Sequence, residues 1–294
     1  MSDRITTSSK RELIFTADDF GLNESVNEAV ELAHRKGVLG CASLMVTAGS
    51  LSDAIRRARR HPALAVGLHL VLSNGPALTD KEDIPQLVDD NGYLPENMVI
   101  AGLRYFISRK LRNQLAHEIR AQFRAFTATG LQLDHVNVHK HFHFHPTLLN
   151  LILCIGRDYG MRSIRLPGEP LTGCLTVCPG SALRSRLQPS LLLPLTHWMR
   201  RKINHAHLFH NDYIIGLTAS GKMSADLILE LLPRLPVGVG EVYFHPSIEP
   251  NFFPVRETNA THPNSELAAL LDPRIPLALN HWNIRQTTFH DAAR

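Results

Sequence analysis

The sequence predicts an α/β fold, a distorted (β/α) barrel of parallel strands with an inserted helical or loop segment. Three observations carry this. Short apolar runs alternate with amphipathic helical stretches along most of the chain. Residues with chemistry to offer recur at the ends of the apolar runs, where the functional groups of such barrels gather. No G-x-G-x-x-G follows the first run, which weighs against an open dinucleotide-binding sheet.

Each element has its own signal. Leu13 to Thr16 reads as a buried strand. Asn23 to Lys36 reads as a helix with Val26, Val30 and Ala33 on one stripe, closed by Gly37. Ala42 to Val46 is a second strand, Leu51 to Arg60 a helix stopped by His61-Pro62, and Ala63 to Leu70 a third strand. A long helix, Lys110 to Thr129, ends at Gly130. It is followed by a strand from Leu131 to His139, a helix from Thr147 to Tyr159 and a strand at Ile164-Arg165-Leu166. Tyr213 to Leu217 and Val239 to Phe244 are strands separated by the helix Ser224 to Leu232. Gly216 to Lys222 nearly spells a phosphate-binding loop. Met223 stands where the magnesium-binding hydroxyl belongs, so Ser224 is better read as an N-cap.

Length and composition suit a single domain over residues 1–294 with an insertion at about 172–212. The net charge of +4 is mild, and no binding module accompanies the basic clusters at 56–60 and 200–202, so nucleic acid is not an expected partner. Four cysteines without a C-x-x-C pair, Cys41 and Cys154 among apolar neighbours, suggest reduced thiols. With no signal peptide before them, the expected location is cytoplasmic. Between residues 180 and 205, leucines and Trp198 mix with Arg184, Arg186, Arg200, Arg201 and Lys202. That texture suits either a helical pair packed on the barrel or an amphipathic flap making peripheral contact with the inner face of a membrane. The sequence carries no reading of oligomeric state.

The chemistry concentrates at four places. Asp18 and Asp19 follow the first strand, His69 ends the third, and His135, His139, His141, His143 and His145 lie within one run. His245 ends the last strand. If 133–139 is extended, His135, Asn137 and His139 share a face and Val136 and Val138 take the other. Two carboxylates with several imidazoles at strand ends suggest a hydrolytic metal site. Taken singly, Asp18-Asp19 reads as a turn before a helix and His69 as a core histidine; their shared placement is what argues otherwise.

Asp18-Asp19-Phe20-Gly21, Gly67-Leu68-His69, the run from His135 to His143 and Phe244-His245-Pro246 together resemble the YdjC-like carbohydrate deacetylases, which include the chitooligosaccharide deacetylases. His-Lys-His-Phe-His-Phe-His-Pro at 139–146 and Arg165-Leu-Pro-Gly-Glu-Pro170 are most similar to the hopanoid-biosynthesis-associated branch. The resemblance implies Asp19, His69 and His139 as ligands of a divalent metal ion, zinc foremost, with magnesium or another divalent ion compatible. It implies Asp18 as general base and His245 as general acid. Arg165 and His141 are candidate substrate contacts, with an Arg165–Glu169 ion pair as the competing reading. Asn137 stands where relatives commonly carry Asp, which bears on the support of His139. The implied reaction is removal of an N-acetyl group from an N-acetylglucosamine unit of a hopanoid glycolipid, or of a soluble chitooligosaccharide. A non-catalytic metal- or sugar-binding barrel is the alternative of another class. Non-haem iron oxygenases use the same ligand set, but the second aspartate and the acid histidine favour hydrolysis.

Overall fold

Seven parallel strands occur among the described residues of the computed structural model, which are 10–169, 184–249 and 265–294. They are β1 (Arg11–Phe20), β2 (Cys41–Leu44), β3 (Ala65–Leu70), β4 (Val136–Val138), β5 (Tyr213–Ile215), β6 (Gly238–Phe244) and β7 (Ile284–Gln286). The order is β4-β3-β2-β1-β6-β5, with β7 on the first residues of β1. Between β4 and β5 the sheet is continued by residues 163–168. Val136 donates to the Ser163 carbonyl, Arg165 to that of Val136, Ile164 to that of Phe209 and Ile214 to that of Gly168. The parallel strands therefore curl into the distorted barrel that the alternation predicts. Leu13 to Phe20 of β1 is buried at every position, because side chains on both faces are covered.

The crossovers are α1 (Glu24–Lys36), α2 (Leu51–Arg60), α3 (Met98–Ile107), α4 (Arg109–Ala128), α5 (Pro146–Asp158), α6 (Arg184–His205), α7 (Ala225–Leu231), α8 (Ser265–Leu271), α9 (Arg274–His281) and α10 (Phe289–Ala292). Local chemistry sets their ends. The Asn23 side chain accepts from the Val26 N–H at the start of α1, and His34, Arg35 and Lys36 occupy its last turn. Ser224 caps α7 by accepting from Leu227, as the N-cap reading of the loop requires.

Several expectations change. The strand expected over 131–139 is regular only at Val136–Val138, and His139 instead opens a 3₁₀ turn. The expected strand at 164–166 is reduced to isolated pairings, Val136 with Ile164 and Ser163 with Phe209. Helix α3 has no counterpart in the sequence reading, because its apolar residues do not alternate with a polar face. Cys154 is exposed rather than enclosed among apolar neighbours, while Cys41 is buried; Cys174 and Cys178 lie outside the described residues. The insertion is only partly described. Helix α6 runs through Pro189 and Pro194 rather than breaking at them. Thr196, Met199 and Ile203 face inward, leaving Arg201 and Lys202 in solvent, so this part of the segment is packed on the barrel. No helix among the described residues is long and apolar enough to cross a membrane.

Candidate metal centre and its acid–base neighbours

Strand register brings the chemistry together. Ala17 of β1 pairs with Phe244 of β6, so Asp18 and His245 leave the sheet side by side. His69 of β3 pairs with Asn137 of β4. Two consecutive strand residues ordinarily point to opposite faces, which would separate Asp18 from Asp19. The chain avoids this by placing Asp19 in the left-handed region at φ 62°, and the β1–β2 register shifts between Ala17 and Phe20. Aspartate enters that region more readily than most residues. Both carboxylates thereby reach one site. Lys140 and His141, each at φ 54°, turn the chain sharply after His139.

Asp19 Oδ1 lies 3.2 Å from His69 Nε2 and 3.3 Å from His139 Nδ1. The two imidazole nitrogens are 3.3 Å apart. Among the described residues these three form the group of ligand-type side chains that converges within 4.8 Å. Asp19 Oδ1 is buried and receives no well-formed hydrogen bond from a described residue. The equal spacing suits one cation: four-coordinate zinc with bonds of about 2.0–2.1 Å has ligand atoms about 3.3–3.4 Å apart.

Behind this triangle lies a chain of hydrogen bonds whose senses are all determined. His135 Nδ1 donates to Asp134 Oδ2 at 2.8 Å, so its Nε2 accepts from the Ser43 hydroxyl at 2.9 Å. The Ser43 oxygen accepts from Asn137 Nδ2 at 2.8 Å, and the same amide donates to Asp18 Oδ1 at 2.9 Å. The Asn137 carbonyl must then accept from His69 Nδ1, at 2.6 Å. This leaves the lone pair of His69 on Nε2, aimed at the triangle. Asn137 thus supports His69, not His139 as the sequence suggested. Gly67 belongs to this arrangement too, since a Cβ there would lie 2.5 Å from the His135 ring.

Arg165 is fully buried. Its Nη1 and Nη2 donate to Asp18 Oδ2 and Oδ1 at 2.5 and 2.9 Å, and its Nε and Nη2 to Glu241 Oε2 and Oε1 at 2.9 and 2.7 Å. Both earlier readings of Arg165 need correction. Glu169 is not its partner but accepts the backbone N–H groups of Gly216 and Thr218. A guanidinium enclosed between two carboxylates also has no face turned to a substrate. Burial opposes ionisation of Asp18, yet the Arg165 charge, with a lesser effect of His69, outweighs it and holds the carboxyl far below its usual range.

His245 is partly exposed. Its backbone N–H donates to Glu266 Oε2 at 2.6 Å, and its Nδ1 lies 4.0 Å from the same oxygen. His141 sits edge-on to Tyr243, with ring centres 5.1 Å apart, and its buried Nδ1 has no hydrogen-bond partner among the described residues.

His143, left without a role by the sequence, is buried and its Nε2 donates to the Arg165 carbonyl at 3.0 Å. Burial above all pushes its imidazole down to about 4, with the guanidinium of Arg165 adding to the effect. The folded state keeps this ring neutral where the unfolded chain takes up a proton. Stability should therefore fall as pH drops from about 6.5 towards 4, by at most about 3 kcal/mol, and this contribution should level off below that. Urea midpoints between pH 7.5 and 4 check this; His143→Gln is expected to flatten the dependence.

Sequence reasoning missed Glu241, Ser43 and Glu266. Glu241 had a signal: a lone carboxylate inside the apolar strand Gly238–Phe244, two and four residues before Tyr243 and His245 on the same strand face. Ser43 and Glu266 had none, being ordinary small or charged residues whose partners come from distant parts of the chain.

A parallel barrel bearing two histidines and a carboxylate at the same ends of its strands, with a second carboxylate beside them, defines a class of enzyme-like barrels with one cluster of ligand-type side chains at the strand ends. Within that class the chain belongs to the YdjC-like protein family, whose model matches residues 12–281. A carbohydrate deacetylase of Brevibacillus brevis is 38% identical over 148 residues, 50% of this chain and 56% of the relative. A carbohydrate deacetylase of Vibrio cholerae is 35% identical over 167 residues, 55% and 63% of the two chains. The matches thus span somewhat more than half the length of these curated relatives. A crystal structure from Enterococcus faecalis V583, of a proposed cellobiose-phosphate cleavage protein, is 23% identical and covers 96% of this chain and 98% of its own. Its TM-score of 0.70 shows the shared fold.

Proposed function

We propose that the protein is a metal-dependent carbohydrate N-deacetylase acting on an N-acetylglucosamine unit, carried by a hopanoid glycolipid. The observation that carries the reading is the triangle of Asp19, His69 and His139 donor atoms at 3.2–3.3 Å with Asp18 next to it in the chain. The carbohydrate deacetylases among its relatives support the reaction class. The lipid-linked substrate rests on the resemblance of the 139–146 and 165–170 stretches to the hopanoid-associated branch. Soluble chitooligosaccharide is the second reading, favoured by the carbohydrate named in those relatives.

Asp19, His69 and His139 would hold the ion, and their spacing favours tetrahedral zinc over octahedral magnesium, whose neighbouring ligands lie about 2.9–3.0 Å apart. When bound, such an ion acidifies water and polarises a carbonyl oxygen. Asp18 accepts the proton of the attacking water; Arg165 and Asn137 hold its two oxygens so that the carboxylate stays ionised and fixed in direction. His245, alongside Asp18 on the neighbouring strand, donates a proton to the departing nitrogen as the C–N bond breaks. His141, edge-on to Tyr243 beside the strand end that carries His245, would be the side chain that contacts the acyl group or sugar.

Acetate release from N-acetylglucosaminyl hopanoid and from short chitooligosaccharides, each with a metal-stripped control, tests the proposal. No release from either by metal-loaded protein would overturn it, whereas release from the oligosaccharide alone would move the substrate to the soluble class. Asn137→Ala is expected to weaken metal binding by about 10- to 100-fold, because His69 loses the acceptor that orients it. Competition with a chelating dye measures this.

A further inference from the structure

Asp134 lies far along the chain from the donor triangle and takes no part in the proposed reaction. It precedes β4 at the amino end of the strands, whereas Asp18 and Asp19 stand at the carboxyl end of β1. Its carboxylate is buried. Oδ1 accepts the His290 N–H of α10 at 2.9 Å, and Oδ2 accepts His135 Nδ1–H at 2.8 Å and faces the Cys41 thiol at 3.8 Å. The His135 ring stacks on Phe289 of α10, with ring centres 4.4 Å apart and planes 22° from parallel. His135, Ser43 and Asn137 are fully enclosed, so each must find its partners within the hydrogen-bond chain itself.

A chain of imidazole, hydroxyl and amide groups can run in two senses. In the forward sense His135 Nδ1, the Ser43 hydroxyl, the Asn137 amide and His69 Nδ1 are the donors, and the lone pair of His69 Nε2 faces the donor triangle. In the reverse sense His135 Nε2 donates to Ser43, Ser43 to the Asn137 carbonyl, and the Asn137 amide to His69 Nδ1. The His69 proton then sits on Nε2, 3.2 Å from Asp19 Oδ1, and takes the place of a cation. The reverse sense fails at both ends. At one it turns the bare Nδ1 of His135 towards the Asp134 carboxylate, and at the other the Asn137 carbonyl towards Asp18 Oδ1. Two buried acceptors facing each other are as unfavourable as a hydrogen bond left unmade.

We propose that Asp134 is a positioning residue of the metal centre. Acting through His135 and Ser43, it fixes the Asn137 amide and so keeps the His69 lone pair turned to the triangle, independently of Asp18. The inference rests on the metal-dependent reading for its purpose and on the hydrogen-bond chain for its physics. Asp18 gives up its charge whenever it accepts the proton of the attacking water, and Asp134 keeps its own. Either carboxylate alone forbids the reverse sense; loss of both frees it. With Asp18→Asn and Asp134→Asn together, the reverse chain is paired at every link. The new amide at 134 donates to His135 Nδ1, the one at 18 to the Asn137 carbonyl, and His69 Nε2 to Asp19.

Nitrogen-15 spectra of metal-free protein labelled at histidine, with His69→Gln to identify the signals, show which ring nitrogen of His69 holds a proton. Competition with a chelating dye gives zinc affinity. Asp18→Asn and Asp134→Asn singly should each keep the Nδ1 proton and leave zinc affinity near the wild-type value. The double variant should lose the Nδ1 proton and bind zinc about 10- to 100-fold more weakly, far beyond the product of the single effects. A general loosening of the fold would not relocate that proton. Asp18→Asn with Ser43→Ala breaks the chain at its middle and should act in the same direction; it serves if the first pair does not fold. Retention of the Nδ1 proton in the double variant, or as large a loss of affinity with Asp134→Asn alone, would overturn the proposal. Wild-type protein that binds no zinc would refute the metal-dependent reading, while the position of the His69 proton would still decide whether Asp134 sets the sense of the chain.

Discussion

Asp18→Asn is expected to lower kcat for deacetylation by about 10²- to 10⁴-fold, the range a positioned general base contributes, while metal affinity stays near the wild-type value. Asp18 is separate from the donor triangle but leaves the same strand end, and three hydrogen bonds from Arg165 and Asn137 converge on its oxygens. An amide fills the same space but supplies one acceptor and one donor group. Whichever way it turns, its NH₂ faces another donor, Arg165 alone or Arg165 and Asn137 together. Lost pairing should cost about 1–3 kcal/mol of stability, so activity must be compared well below the melting temperature. Single-turnover acetate release with a parallel metal titration separates the two effects, and unchanged turnover would sink the general-base role. The wild-type ion pair also has a pH signature. The Asp18 carboxyl is held lower in the folded than in the unfolded state. Its contribution to stability is therefore complete above the unfolded value of about 3.9 and lost only in stronger acid, as pH falls through the folded value.

Arg165→Ala should have the largest effect on folding, about 3–5 kcal/mol, because it strands Asp18 and Glu241 as uncompensated carboxylates in the core. The loss is a matter of charge rather than of volume. Arg165→Met combined with Asp18→Asn and Glu241→Gln removes all three charges and should recover much of the stability, yet remain inactive. Denaturant midpoints of the single and triple variants check this. If Arg165→Ala unfolds near the wild-type midpoint, the buried pairings do not contribute as their geometry indicates.

The alternation of apolar runs and helical stripes determined the parallel barrel, because it is a local property: each segment's period dictates which face it must bury. Strand ends bearing Asp18, Asp19, His69, His139 and His245 were legible for the same reason. What needs two distant segments was not. Glu241 is a single acid in an apolar strand until Arg165 arrives from 76 residues away. Asn137 read as support for its strand neighbour His139, but register sets it opposite His69 on β3. The left-handed turn at Asp19 could be required but not seen, since the sequence shows two adjacent aspartates and no backbone angle. Helix α3 escaped because a helix apolar on both faces has no period to detect. Sequence by itself determined the order of elements and the residues at their ends, through local hydrophobic patterning. Only the tertiary structure decided which of them share a proton, a charge or a cation, because those interactions depend on strand register and burial.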